Sequence, residues 1–371
     1  MPVYYPAITT YMRGHVYKEF LWWCPESPIR YPYALLSYGV IRNLGWDKGC
    51  WRKELYAEDI NVMMDSGGFQ LKKGMDINPE EVMRWQLKNL RDGDIIVPLD
   101  FPASWDDNPE AVEKMAIFTA KYIDMWIKFF DKYNITITIP FHGFDDRQVS
   151  IWWKYIKDYV RVTRSISLGG MALRSHAVVD NIISICRRVR VSIDDVKHVH
   201  IFGLSSMRTI AFIHLLETFI SKKVTYDSSK HSIVLRVSKL HLPTSMNMYI
   251  RIGRKGLSKN SNIKSLTCHC PACMRFFDGK IGEHLSSRLM TSLHHALALH
   301  NLWTIIMYID KVEWLRATNR LEEYIVKNFP HGEDGIKAMK TMLEGGEVVK
   351  EFEGGRVKYK FYTSSLKRWF A

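Results

Sequence analysis

With 371 residues and 47% hydrophobic content, the chain is long enough for one large core with a small appendage, and too apolar to be disordered. Its 52 Lys and Arg against 39 Asp and Glu give a formal charge of +13, which favours a polyanionic partner such as nucleic acid. No run of about 18 uncharged apolar residues occurs, and the opening residues lack the basic-then-apolar order of a signal peptide; the chain reads as soluble and cytoplasmic, with no membrane attachment.

From about residue 33 to residue 242, short apolar runs alternate with longer helical patterns, the signature of parallel βα units. The predicted strands end on polar residues or glycines: NVMMD on Asp65, DIIVPLD on Asp100, ITITIPFH on His142, RSISLGG on Gly169 and Gly170, HVHIFG on Gly203, KVTYD on Asp227. In a parallel barrel all six endings share one mouth, where such folds place their chemistry. The strand count, with no Gly-rich phosphate loop after the first strand, favours a (β/α)8 TIM barrel over a doubly wound α/β sheet. From about residue 285 the pattern is helical, through LMTSLHHALALHNLWTIIMYI and RLEEYIVKNF. EVVKEFEGGRVKYKFY then reads as a hairpin turning at Glu353-Gly354-Gly355 and covering the barrel. The expected organisation is a catalytic barrel over 1–265, a zinc-binding subdomain over 266–303, and C-terminal helices plus hairpin packed on the barrel over 304–371. Self-association as a homodimer is left open.

Asp65-Ser66-Gly67-Gly68-Phe69-Gln70 follows a predicted strand, and its paired glycines let the backbone turn sharply against a flat ligand. Asp100 in PLDFP and Asp227 in TYDSS would face the same pocket, where three buried acids repel unless they have distinct tasks. Retaining cleavage of an N-glycosidic bond supplies such tasks: one carboxylate attacks the anomeric carbon, an acid protonates the departing base, and a third group holds that base. Taken singly, each Asp reads better as a cap of the following helix. The stretch Ser221 to Lys264 holds ten Lys or Arg and one acid, Asp227 itself. Lys222, Lys223, Lys230, Arg236, Arg251, Arg254 and Lys255 are its candidate phosphate contacts.

Of six cysteines, three cluster as Cys268-x-Cys270-x-x-Cys273, a pattern that suits one structural zinc in a reducing compartment better than a disulfide framework. His300 follows 27 residues later, with His269, His284, His294 and His295 as competing fourth ligands.

DSGGFQ, the later SLGGMA from Ser167 to Ala172, and CxCxxC followed by His300-Asn301 together resemble the signature set of the queuine and archaeosine tRNA-guanine transglycosylases, over about residues 33 to 303. The resemblance implies a zinc-bearing (β/α)8 barrel that exchanges guanine for a free 7-deazaguanine base. It makes Asp227 the nucleophile on C1′, Asp65 the general acid/base, Asp100 the acceptor for guanine N1 and the 2-amino group, and Phe69 a stacking ring. Ser66, Gly169, Gly170 and Met171 join the base site, and Cys268, Cys270, Cys273 and His300 become the zinc ligands. Where the family usually shows Gln-Gly, this chain has His142-Gly143, so an imidazole would meet O6 or the 7-substituent. Asp227 is followed by Ser-Ser-Lys, not the arginine-containing segment of bacterial tRNA enzymes, and the chain end shows no archaeal-type RNA-binding domain. These departures resemble the phage and genomic-island branch that puts 7-deazaguanines such as preQ0 into DNA. DNA is therefore the expected polymer, with tRNA the alternative and a non-catalytic nucleic-acid-binding barrel the alternative of another class.

Overall fold

A computed structural model describes residues 1–8, 17–45, 49–170, 178–204, 206–232, 239–242, 245–251, 267–281, 283, 291–353 and 356–363. Nine short strands pair in parallel: β1 (Val3–Pro6), β2 (Tyr33–Ser37), β3 (Asn61–Asp65), β4 (Ile95–Ile96), β5 (Thr136–Ile137), β6 (Ile139–Phe141), β7 (Ser165–Leu168), β8 (His198–Ile201) and β9 (Lys223–Ser228). They form a sheet of order β2-β3-β4-β5 and a sheet of order β1-β9-β8-β7-β6. Only Thr138 separates β5 from β6, so one extended run serves both sheets. On the other margin Ala7 makes a parallel bridge to Leu35, and the Ile8 N–H donates to the Leu35 carbonyl at 2.9 Å.

The α/β character and parallel pairing agree with the alternation in the sequence, and each expected strand ending follows or closes a strand. Two details differ. β1 lies ahead of residue 33, where the four-residue VYYP is too short to show a period. DIIVPLD yields only Ile95–Ile96 as a strand, extended by the Val97 N–H to the Met64 carbonyl at 3.0 Å, because Pro98 has no N–H to continue the ladder.

Helices cover the strands through apolar stripes. In helix Asp146–Thr163, Val149, Trp152, Ile156 and Val160 recur at helical spacing and all are buried. Starts are set by side-chain caps: Asn78 accepts from the Glu80 N–H, Asn108 from Ala111, Asp145 from Gln148 and Ser206 from Thr209, with Pro79 and Pro109 opening their helices. Between the strands, Tyr5, Ala7, Leu35, Met63, Ile95 and Val97 form their own apolar cluster, apart from the larger strand-to-helix core. The buried Arg52 guanidinium stitches loops beneath β3 and β4, donating to Asp94 at 2.5 Å and to the carbonyls of Asn89, Ala57 and Ile60.

After β9 comes an antiparallel ribbon of β10 (Lys239–Leu242) and β11 (Ser245–Arg251), then the short helix Pro271–Phe277 and the 27-residue helix Thr291–Ala317. The boundary expected at 303 falls inside that long helix, which carries its apolar contacts straight through, so a division there is not a break in structure. Helix Gly332–Leu343 packs on helix Val178–Ser192, and the expected hairpin forms from β12 (Glu347–Glu353) and β13 (Arg356–Tyr362). Lys350 and Tyr359 tie that hairpin to Asp180 of the covering helix at 2.7 and 3.3 Å. Among the described residues, no helix is long and apolar enough to cross a membrane.

Candidate active site and metal centre

Parallel pairing sends the strand ends to one side, and the three acids meet there. Asp65 closes β3 opposite Ser37 in register, and Asp227 lies in β9 opposite Tyr5 of β1. Burial raises the Asp65 carboxyl to about 7; the nearby Asp100 charge is the next cause, and Asp227 adds a smaller push against the lowering effects of the Ser37 hydroxyl and the Gly67 N–H. A carboxyl at about 7 exchanges a proton readily near neutrality, which is what a group that first gives and then takes a proton requires.

Asp100 is buried, and its Oδ2 lies 2.6 Å from His142 Nε2. The imidazole therefore does not stand free to meet O6 or a 7-substituent through that nitrogen, as the sequence suggested; it braces the acid. Its ring is fixed from two sides, by the Trp152 edge at 4.9 Å and by Gly169, where a Cβ would come within 2.2 Å of Cε1. The other nitrogen, Nδ1, is buried with no hydrogen-bond partner among the described residues. Thr138 Oγ1 and Ser167 Oγ on the neighbouring strands share that condition. Unpartnered buried polar atoms are costly unless a ligand or water completes them.

Gly68 allows the first acid loop to lie on the second: a Cβ there would fall 2.0 Å from Asp100 Oδ1 and 2.6 Å from the Asp100 carbonyl. Phe69, next along, is 47% exposed with Lys73 Nζ 4.2 Å from its ring centre, a rim position suited to stacking. Two expected base contacts are occupied otherwise. The Ser66 hydroxyl donates to the Pro98 carbonyl at 3.0 Å, holding the two acid loops together, and the Gly169 N–H points to the Phe141 carbonyl at 3.4 Å. Gly170 has a φ of +82°, so the turn needs glycine there. Met171 lies outside the described residues.

Asp227 Oδ1 accepts the Gly203 N–H at 2.8 Å, and His200 Nε2 stands 3.4 Å from the same oxygen. The sequence reading stopped at Gly203 and passed over both histidines of HVHIFG. Their spacing of two was the available signal, because it puts both on one face of a strand.

The basic stretch divides. Lys223 opens β9, about 13 Å along the strand from Asp227 at roughly 3.3 Å per residue, and Lys222 just precedes it, so both stand at the end away from the acids. Lys230 follows Asp227 in the turn Lys230–Ser232, on the acids' side. Arg236, Arg254 and Lys255 fall outside the described residues; Arg251 closes β11.

The metal centre is built by two helix elements. Cys270 caps helix Pro271–Phe277, Cys273 sits in its first turn, Cys268 is held by its N–H to the Gly279 carbonyl at 2.8 Å, and His300 projects from Thr291–Ala317. His300 Nδ1 lies 3.5, 3.3 and 3.3 Å from the sulfurs of Cys268, Cys270 and Cys273, and all four buried ligand atoms fall within 4.8 Å of one another. A tetrahedral ion with metal–sulfur and metal–nitrogen distances near 2.3 and 2.05 Å requires about 3.6 Å between S and N, so the residues fit one ion. Of the competing histidines, His269 is exposed and His295 packs on Phe20 with ring centres 5.7 Å apart. His284 and the side chain of His294 lie outside the described part of the structure.

Fold and site define a parallel α/β protein with three carboxylates gathered at its strand ends and a separate, buried Cys3His cluster that could hold one metal ion. The queuine tRNA-ribosyltransferase family model matches residues 53–329, three quarters of the chain, and the protein belongs to that family. The tRNA-guanine(15) transglycosylase of Sulfolobus acidocaldarius is 22% identical over 315 residues, covering 83% of this chain and 59% of the relative. That of Saccharolobus solfataricus is 23% identical over 327 residues, covering 85% and 60%, and that of Methanopyrus kandleri 24% over 365 residues, covering 93% and 73%. The chain thus spans about three fifths of the length of the first two relatives.

Proposed function

We propose that the protein is a guanine transglycosylase that exchanges a base in a nucleic acid through a covalent bond to Asp227. The observation that carries this reading is the gathering of three strand-end carboxylates, with Asp65 raised to about 7 by burial and by its two acidic neighbours. The target nucleotide leaves its stack, at a cost of about a few kcal/mol. Asp227 attacks C1′ as the C1′–N9 bond breaks, and Asp65 gives its proton to the departing guanine. The incoming 7-deazaguanine returns a proton to Asp65 from N9 and displaces the carboxylate, so two inversions restore the configuration. Asp100, braced by His142, holds the base edge, while Phe69 stacks on its plane.

The strands are read as a closed (β/α)8 barrel, supported by the shared run β5–β6 on one margin and the Ala7–Leu35 bridge on the other. The metal is read as one structural zinc on Cys268, Cys270, Cys273 and His300. Its four protein ligands leave no position for substrate, so it braces the long helix and adjoining loop and takes no part in exchange.

For the polymer we place tRNA first, because the family and the relatives carry tRNA in their names. DNA is the second reading, favoured by Ser228-Ser229-Lys230 after the nucleophile in place of an arginine-containing segment. Release of labelled guanine from tRNA and from duplex DNA, measured side by side with and without preQ0, tests both. Exchange only on DNA reverses the order, and guanine release with no dependence on Asp227 overturns the mechanism.

A further inference from the structure

Behind Asp227, on the same face of β7, β8 and β9, four polar side chains lie in a sealed row that the exchange chemistry has not used. Ser165 Oγ is 2.7 Å from His198 Nδ1, and His198 Nε2 is 2.8 Å from Thr225 Oγ1. Thr225 Oγ1 is in turn 2.8 Å from His200 Nδ1, and His200 Nε2 faces Asp227 Oδ1 at 3.4 Å. All four are buried. Register explains the row: His198 pairs with Ser165 and His200 with Thr225, and the period of two then brings Asp227 onto that face.

The inventory of hydrogens decides its direction. Burial depresses both imidazoles, His198 to about 3, so each is neutral and carries one N–H and one lone pair. Thr225 has one hydrogen and touches two ring nitrogens, so it donates to one and accepts from the other. As a nucleophile Asp227 can only accept, which places the His200 proton on Nε2. His200 Nδ1 then accepts from the Thr225 hydroxyl, His198 Nε2 donates to Thr225, and Ser165 donates to His198 Nδ1. Every donor in the row points towards Asp227.

We propose that Ser165, His198, Thr225 and His200 are a positioning relay that fixes His200 as the Nε2–H tautomer. With the Gly203 N–H, that tautomer claims Asp227 Oδ1 and leaves Oδ2 as the attacking oxygen. The proposal rests on Asp227 being the nucleophile. Both contacts fall on Oδ1, and among the described residues no hydrogen bond falls on Oδ2. His200 Nε2 makes no hydrogen bond among the described residues: at 3.4 Å from Asp227 Oδ1 it is near enough to donate but not aligned to do so, and the contact tightens when substrate arrives. A neutral donor also suits the chemistry, because it orients the carboxylate without the charge stabilisation by which an imidazolium would hold back its attack.

Thr225→Val removes both hydrogen-bonding roles of the hydroxyl at nearly constant size. It should lower kcat by about 10- to 100-fold, the range for losing a contact that orients an active group, and leave KM for the polymer within about twofold. Thr225→Ser keeps the hydroxyl and should recover kcat to within about threefold of the parent. Nitrogen-15 shifts of the His200 ring in the unmodified protein should report Nε2–H, a readout that a merely structural role would not move and that needs no turnover. An Nδ1–H His200, or a folded Thr225→Val protein with parental kcat, overturns the relay. Retention of exchange by Asp227→Asn would instead overturn the nucleophile assignment, so the two failures are distinct.

Discussion

Gly68→Ala is the sharpest test of the way the acid loops fit together. Gly68 is not among the left-handed glycines and begins a helix, so alanine costs nothing in backbone conformation and is the better helix former. What remains is steric. The added Cβ would lie 2.0 Å from Asp100 Oδ1 and 2.6 Å from the Asp100 carbonyl, against an ordinary contact of 3.4 Å, so the carboxylate must move about 1.4 Å and the main chain about 0.8 Å. The side chain could rotate aside, but the carbonyl cannot, and the 2.6 Å contact to His142 goes with it. Misplacing a base-holding group by about 1 Å costs about 100-fold, or about 2.7 kcal/mol of transition-state stabilisation. Overpacking at the same place should cost about 1–3 kcal/mol of fold stability. Exchange of labelled guanine followed as kcat/KM, with thermal unfolding alongside, separates the two effects. A folded Gly68→Ala protein with parental kcat/KM would refute the packing of the DSGGFQ loop against Asp100.

Other outcomes follow from the same geometry. Burial holds the Asp65 carboxyl at about 7 in the folded protein, against an ordinary carboxylate value of 3.8, so its ionisation opposes folding increasingly between those values. Asp65→Asn should therefore abolish exchange while raising the melting temperature at pH 8 and not at pH 3.5, with a gain of at most about 4 kcal/mol. In the parent protein guanine release should decline as pH rises through about 7, since the step needs the protonated acid; a flat profile to pH 9 would remove Asp65 from that role. Elemental analysis should find one zinc per chain, and Cys273→Ser should lose it with a lower melting temperature; full stability in a metal-free protein would sink the centre. Arg52→Met strands the buried Asp94 and should cost about 3–5 kcal/mol in urea unfolding, whereas a change below about 1 kcal/mol would mean that Asp94 finds another partner.

Much of the site was legible before any coordinates. Parallel strands buried on both faces give nearly unbroken apolar runs, so NVMMD, HVHI and KVTYD announced themselves, and the polar residues closing such runs marked the end where the three acids gather. The cysteine spacing likewise picked out three of the four residues that cluster closely enough to hold one ion, because such spacing is itself a geometric constraint. His142 shows the limit. Its position after a strand implicated it in the pocket, but whether its nitrogen faces a base or a neighbouring acid depends on the distance between two strand ends 42 residues apart. Ser66 was assigned to the base for the same reason, and packing instead turns its hydroxyl to Pro98.

The sequence by itself determined the family, the parallel α/β class, the three acids and the cysteine cluster, since each is encoded in local runs and spacings. The tertiary structure decided what those residues face. It brought His300 to the three cysteines, set Lys222 and Lys223 at the far end of the strand from Asp227, ran one helix through the expected domain boundary, and laid the Ser165–His198–Thr225–His200 row behind Asp227. The row turns on strand register and on which way each side chain leaves its strand, and a shift of one residue in pairing would reverse its facing; the others turn on how distant segments pack.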